Sequence, residues 1–208
     1  MSLTARHLEQ AISHVAERDA HVRAALDVVG LPEPRIRPAG FAALLRIMVA
    51  QQLSVKAAAT IHARLEALMG EATPRNLLAQ DDDALRAAGL SRRKVAYARA
   101  LAEACAAGQL DFAAIGQLDD DDAISVISSV KGFGRWSAEI YLMFCEGRPD
   151  IWPAADLGLQ AGLHRLKALA ARPTAKDTIP LVEPWRPHRS AMALFLWHYY
   201  ARTAAPLG

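Results

Sequence analysis

One carboxylate and one pair of glycines carry the strongest chemical signal in this sequence. Gly132, Phe133 and Gly134 stand between two apolar segments, and Asp156 follows beyond a turn containing Pro149 and Pro153. Two glycines in this spacing let the backbone pass through positive φ and leave no side chain over the amides. The second glycine falls where a helix should begin. Exposed N–H groups there, with the positive end of the helix dipole, suit a single phosphate. Lys131 and Arg135 flank the pair with charge of the matching sign. Asp156 precedes Leu159, Leu163 and Leu166, the apolar face of a further helix, so it is placed at or near an N-cap. Alone it would be read as a cap. The glycine pair, a buried helix, a proline-rich turn and then an aspartate form a compound pattern with few accidental matches.

The elements that must position these residues are helices. Ala123, Ile124, Ile127 and Val130 recur at helical spacing before the glycines. Ile140 to Phe144 is apolar on nearly every side, as a fully buried helix would be. Gly147 can end that helix, and the prolines after it forbid its continuation.

The words Gly-Phe-Gly-Arg-Trp-Ser-Ala (132–138) and Trp-Pro-Ala-Ala-Asp (152–156) resemble the helix–hairpin–helix superfamily of DNA base-excision glycosylases, and within it the 3-methyladenine DNA glycosylase II branch. The match runs from about Gly40 to Ala201. The resemblance implies that the hairpin, about 120–145, holds one DNA phosphate through Gly132 and Gly134, often with a bound Na+ or K+ on its backbone. It also implies that Asp156 is the catalytic carboxylate. Bifunctional members keep a nucleophilic lysine two residues after the second glycine. Trp136 stands there, which implies a monofunctional enzyme without lyase activity. Trp136 and Trp197 are the candidate walls of the base pocket, with Trp152 and Tyr141 as weaker choices. Where the branch usually has another aromatic, this chain has Ile140, which puts the range of bases in doubt.

Composition bounds the alternatives. The chain has 208 residues, 52% of them hydrophobic but only 6% aromatic. Its apolar content is largely Ala and Leu, which favours helices over strands. The formal charge of +2 permits nucleic acid without arguing for it. Cys105 and Cys145 are too few for a disulfide framework or a four-cysteine iron–sulfur cluster, so neither is expected. Charged residues within the first twenty positions argue against a signal peptide. Ala191 to Trp197, the longest clean apolar run, is too short to span a bilayer. A cytoplasmic, nucleoid-associated protein is expected.

In chain order, Thr4 to Val29 reads as one helix or two, broken near Asp19. His7, His14 and His21 recur at seven-residue steps, too far apart along a helix to share an ion. Phe41 to Ala50 forms an apolar helix ending at Gln51 and Gln52. Ser54 caps the next, with Ala58, Ile61, Leu65 and Leu68 as its inner stripe. Gln51 and Gln52 would by themselves be a polar helix terminus. The resemblance adds that such residues lie at the DNA, near the gap left by an extruded base. The acid runs 81–83 and 119–122 look like metal sites, but carboxylates belong at helix N-termini. No metal held by side chains is expected. Arg92, Arg93 and Lys94 sit at the wrong end of their helix for the dipole, so they answer to some other group. Arg172 to Pro187 reads as loop.

About ten helices and no strand result. The expected fold is all-α: a two-lobed helical bundle with a helix–hairpin–helix motif and a cleft between the lobes. Residues 1–39 with 157–208 would form a terminal lobe and 40–156 a central one. Three readings stay open. The first is a glycosylase for alkylated purines in double-stranded DNA, acting as a monomer with no cofactor. The second is a non-catalytic helix–hairpin–helix DNA-binding protein. The third is a glycosylase for deaminated or oxidised bases. A cationic alkylated purine departs without a general acid, so a single carboxylate fits that class of lesion best.

Overall fold

A computed structural model describes residues 3–203. Among them every regular element is helical: α1 (Ala5–Ala16), α2 (Ala20–Val29), α3 (Phe41–Ala50), α4 (Val55–Met69), α5 (Pro74–Leu78), α6 (Asp82–Ala87), α7 (Arg92–Ala106), α8 (Phe112–Ile115), α9 (Asp120–Ser128), α10 (Arg135–Phe144), α11 (Leu157–Leu166), α12 (Ala175–Val182), a 3-10 turn at Glu183–Trp185, and α13 (Arg189–Thr203).

Local chemistry sets most of the starts. Thr4, Asp19, Ser54, Thr73, Asp81, Ser91 and Asp119 each turn a side-chain oxygen onto an amide of the first turn that follows. These bonds satisfy donors that a helix leaves unpaired at its N-terminus. The acid runs at 81–83 and 119–122 are therefore caps and first-turn carboxylates. Among the described residues no group of three or more His, Cys, Asp or Glu is arranged to hold a metal ion.

The chain divides into two compact units. One consists of the chain before Arg37 together with the chain from Leu142 onward; the other is Arg37–Tyr141. The boundary falls within α10. In the first unit α13 is the hub, packed against α1, α2 and α11. Residues 190–196 are all buried, so its apolar run is the core of this unit. Gly162 lets α11 approach closely: a Cβ there would stand 2.8 Å from Leu196 Cγ. In the second unit α7 is the hub, against α3, α5 and α6, with Ala98, Leu101 and Ala102 inaccessible. No helix among the described residues is long and apolar enough to cross a membrane.

Two stretches depart from expectation. The segment expected as loop contains α12, capped by Thr174 and Asp177 in a reciprocal capping box and tolerating Pro180 inside it. On α4 the inner face is His62, Leu65 and Met69, with Ala58, Ile61 and Leu68 only half-buried. The stripe is thus rotated by one position, and a histidine takes an interior place.

Candidate active site

The glycine hairpin is built on a tight turn in which Phe133 N donates to Val130 O at 3.0 Å. Gly132 has φ +95°, and a Cβ there would overlap the ring of Tyr97 from α7. Gly134 differs. It is not among the glycines of positive φ, and a Cβ there would meet nothing within 4 Å. Its carbonyl accepts from Ser137 N at 2.9 Å and Ala138 N at 3.2 Å, so it opens α10. Only the first glycine is demanded by the fold. The second leaves the helix start bare.

Gln51 fastens this hairpin from the other side. Its Nε2 donates to Gly132 O at 3.1 Å and to Ser137 Oγ at 3.0 Å. The side chain expected at a gap in DNA is thus engaged within the protein. Gln52, exposed and at φ +58°, holds the tip of the turn instead, with its Oε1 accepting from Arg93 at 3.3 Å. Lys94 accounts for one of the cations at the start of α7. Its Nζ donates to Val49 O at 2.7 Å and Gln51 O at 2.9 Å, and so caps the C-terminus of α3. Burial, and then the charge of Arg93, hold the Lys94 ammonium below its usual pKa.

The two flanking cations diverge. Lys131 is exposed. Arg135 donates through Nε to Glu139 Oε1 at 2.9 Å and lies 3.5 Å from Asp121 Oδ1, with its side chain still 65% exposed. Glu139 is buried, and burial pushes its carboxyl up to about 7 against the pull of Arg135. Trp136 is half-buried in the first turn of α10.

Asp156 is the N-cap of α11. Its Oδ1 accepts from Leu159 N at 2.9 Å and also from the indole Nε1 of Trp197 at 2.9 Å. Trp197, on α13, stacks on Phe144 with ring centroids 5.9 Å apart. Gly158 packs beneath them. A Cβ there would stand 3.1 Å from Asp156 Oδ1 and 3.3 Å from Trp197 Cδ1. The segment leading to Asp156 is fixed to the start of α13. Arg189 grips Asp150 with Nε on Oδ1 at 2.8 Å and NH2 on Oδ2 at 2.9 Å, and Ile151 N donates to Ser190 Oγ at 2.9 Å. A bidentate grip of this kind fixes orientation as well as position. Gln160 Nε2 donates back to Ala154 O at 2.9 Å. Trp152 and Tyr141, the weaker pocket candidates, are core residues: Trp152 Nε1 donates to Thr178 Oγ1, and the Tyr141 hydroxyl accepts from Gly40 N.

The model of the HhH-GPD superfamily of base excision DNA repair proteins matches residues 45–187. This chain belongs to the HhH-GPD superfamily. It is 32% identical over 158 residues to DNA-3-methyladenine glycosylase 1 of Schizosaccharomyces pombe, covering 74% of this chain and 69% of that protein. It is 29% identical over 192 residues to DNA-3-methyladenine glycosylase 2 of Escherichia coli, covering 85% of this chain and 65% of that one. The chain thus spans about two thirds of the length of these relatives. The solved structure of the S. pombe 3-methyladenine DNA glycosylase, in complex with abasic DNA, superposes with a TM-score of 0.85 at 30% identity, over 90% of this chain and 95% of that one.

Within this HhH-GPD chain, four participants had escaped the sequence reading: Gly158, Phe144, Glu139 and the capping role of Lys94. Gly158 had a signal, being a glycine inside an otherwise good helix. Lys94 had half of one, a cation at the wrong helix end. Phe144 and Glu139 lie in a segment whose apolar run masks them.

Proposed function

We propose that the chain is a monofunctional DNA glycosylase that removes alkylated purines of the 3-methyladenine class from duplex DNA. The observation that supports this most is the fixation of Asp156 by the α11 amide and the Trp197 indole. A carboxylate needed only as a cap has no use for a second donor on the same oxygen. One that must face a reacting sugar gains from being held in a single orientation.

In this reading the amides around Gly134, with Lys131 beside them, take a strand phosphate. A Na+ or K+ on the hairpin carbonyls would add positive charge at the same place; Val130 O already accepts one N–H and has a second lone pair to offer. The target nucleotide leaves the stack at a cost of a few kcal/mol. Trp197, bonded to Asp156, supplies an aromatic face for a cationic base, worth about 0.5–2 kcal/mol. The bond from the sugar C1′ to the base nitrogen then breaks, and the electron pair leaves with the base. Asp156 stabilises the positive charge on the sugar, orients the water that adds to C1′ and takes the proton which that water gives up, leaving a C1′ hydroxyl. With Trp136 in place of a lysine, no amine attacks the sugar, and the strand is left abasic and intact.

The test is incubation with methylated DNA followed by chromatography of the released bases. Release of 3-methyladenine with no strand cleavage, and no covalent adduct on borohydride treatment, is the expected outcome. A trapped adduct would contradict the monofunctional assignment, and no released base would contradict the glycosylase itself.

A further inference from the structure

A cavity lies wholly within the unit Arg37–Tyr141, on the flank of α3 and α4. Its volume is about 410 Å3, within the range of small-molecule sites. Arg37, Arg46, His62 and Glu66 supply its polar lining, and Pro38 with four alanines forms a small-residue apolar wall. No part of the glycosylase reading uses these residues.

His62 is the unusual member. It is 5% exposed, and neither ring nitrogen has a hydrogen-bond partner. Nδ1 lies 3.2 Å from Glu66 Oε1, but off the direction a hydrogen bond requires. A buried polar group left unpaired costs stability, and such groups gather at sites completed by something else. Burial first, and then the charge of Arg46, hold the imidazole below its usual pKa, with Glu66 opposing them. The ring is therefore a neutral donor set among cations. Arg46 donates to Glu66 Oε1 at 3.2 Å, and both side chains line the cavity. Glu66 is half-exposed and can yield Arg46 to a stronger acceptor. Two guanidinium groups and a neutral N–H donor line the cavity beside one carboxylate. A metal cation would be repelled here, whereas an oxyanion would find donors suited to it.

We propose that this cavity binds a phosphate group, gripped by Arg37 and Arg46 and completed by a hydrogen bond from the His62 ring. The alanine and proline wall leaves room for an organic substituent, so a phosphate monoester of the mononucleotide class fits. The phosphate comes from either a free nucleotide, as a monoester, or a DNA strand, as a diester; both present non-bridging oxygens to the same donors.

The experiment follows the His62 ring signals and the amides of Ala42, Ala43 and Ala72 by NMR in the full chain. Inorganic phosphate, AMP and a short unmodified duplex are titrated separately, against sodium chloride of matched ionic strength. The ring is assigned with His62→Asn; should that variant fail to fold, the amides serve alone. A saturable shift with phosphate or AMP, weakened about tenfold or more in Arg46→Gln and in Arg37→Gln, supports the site with a free ligand. The same pattern with the duplex alone supports it with the strand as source. No shift beyond the chloride control, or a shift unchanged in both arginine variants, overturns the proposal.

Discussion

Glu139 shows most plainly how a single residue carries a measurable signature. Its carboxyl is lifted from 4.5 to about 7 by burial, with Arg135 only partly offsetting the cost. Between those two values the unfolded chain gives up a proton that the folded chain keeps. Stability contributed at this site therefore falls as pH rises from 4.5 to about 7, and is level above that. Glu139→Gln removes the titration. The variant should match the parent near pH 4.5 and exceed it by about 3 kcal/mol at pH 8. Urea denaturation across that range measures it, and a difference independent of pH would show that Glu139 ionises freely.

Among elements, the hairpin separates two glycines that look equivalent in the sequence. Gly132 combines φ +95° with the Tyr97 ring lying against it, whereas Gly134 has neither constraint. Gly132→Ala should cost about 2 kcal/mol or more in stability. Gly134→Ala should cost less than about 1 kcal/mol and yet weaken DNA binding, because its new methyl stands over the bare helix start. Denaturation and fluorescence anisotropy on the two variants check this; equal stability losses would remove the distinction. How far the sequence was legible follows the same division. Ser54 and Asp156 could be read as caps because a cap is satisfied within three residues of itself. α12 was missed because Pro180 and its neighbouring prolines outweigh a capping box in any local reading. The tie from Gln51 to Gly132 was missed because it joins residues 81 positions apart. The link from Trp197 to Asp156 was missed for the same reason, spanning 41.

At the scale of the molecule, early and late segments of the chain meet in one unit through Asp19. Its Oδ2 accepts from Lys167 and, at 3.0 Å, from the indole of Trp185, itself only 1% exposed. Trp185 closes a core contact edge-on to Trp152. Burial would raise the Asp19 carboxyl, yet the hydrogen bonds from Lys167 and Trp185 prevail and hold it below 3.8. The stabilisation is present above that value and disappears as pH falls through the lowered one. Asp19→Asn should therefore cost about 3 kcal/mol at pH 7, with the deficit shrinking below pH 3.8, since the parent loses the same interaction on protonation. Thermal unfolding of both proteins from pH 7 to pH 3 measures this; a deficit that persists in acid would locate the effect elsewhere.

The central claim is that Asp156 does chemistry as well as capping α11. Asp156→Asn is the direct measurement, because asparagine keeps an oxygen for Leu159 N and for the Trp197 indole while removing the charge. Single-turnover release of 3-methyladenine should fall by about a hundredfold or more, with affinity for the same duplex unchanged within about threefold. Release at the parent rate would contradict the account and leave Asp156 as a helix cap alone.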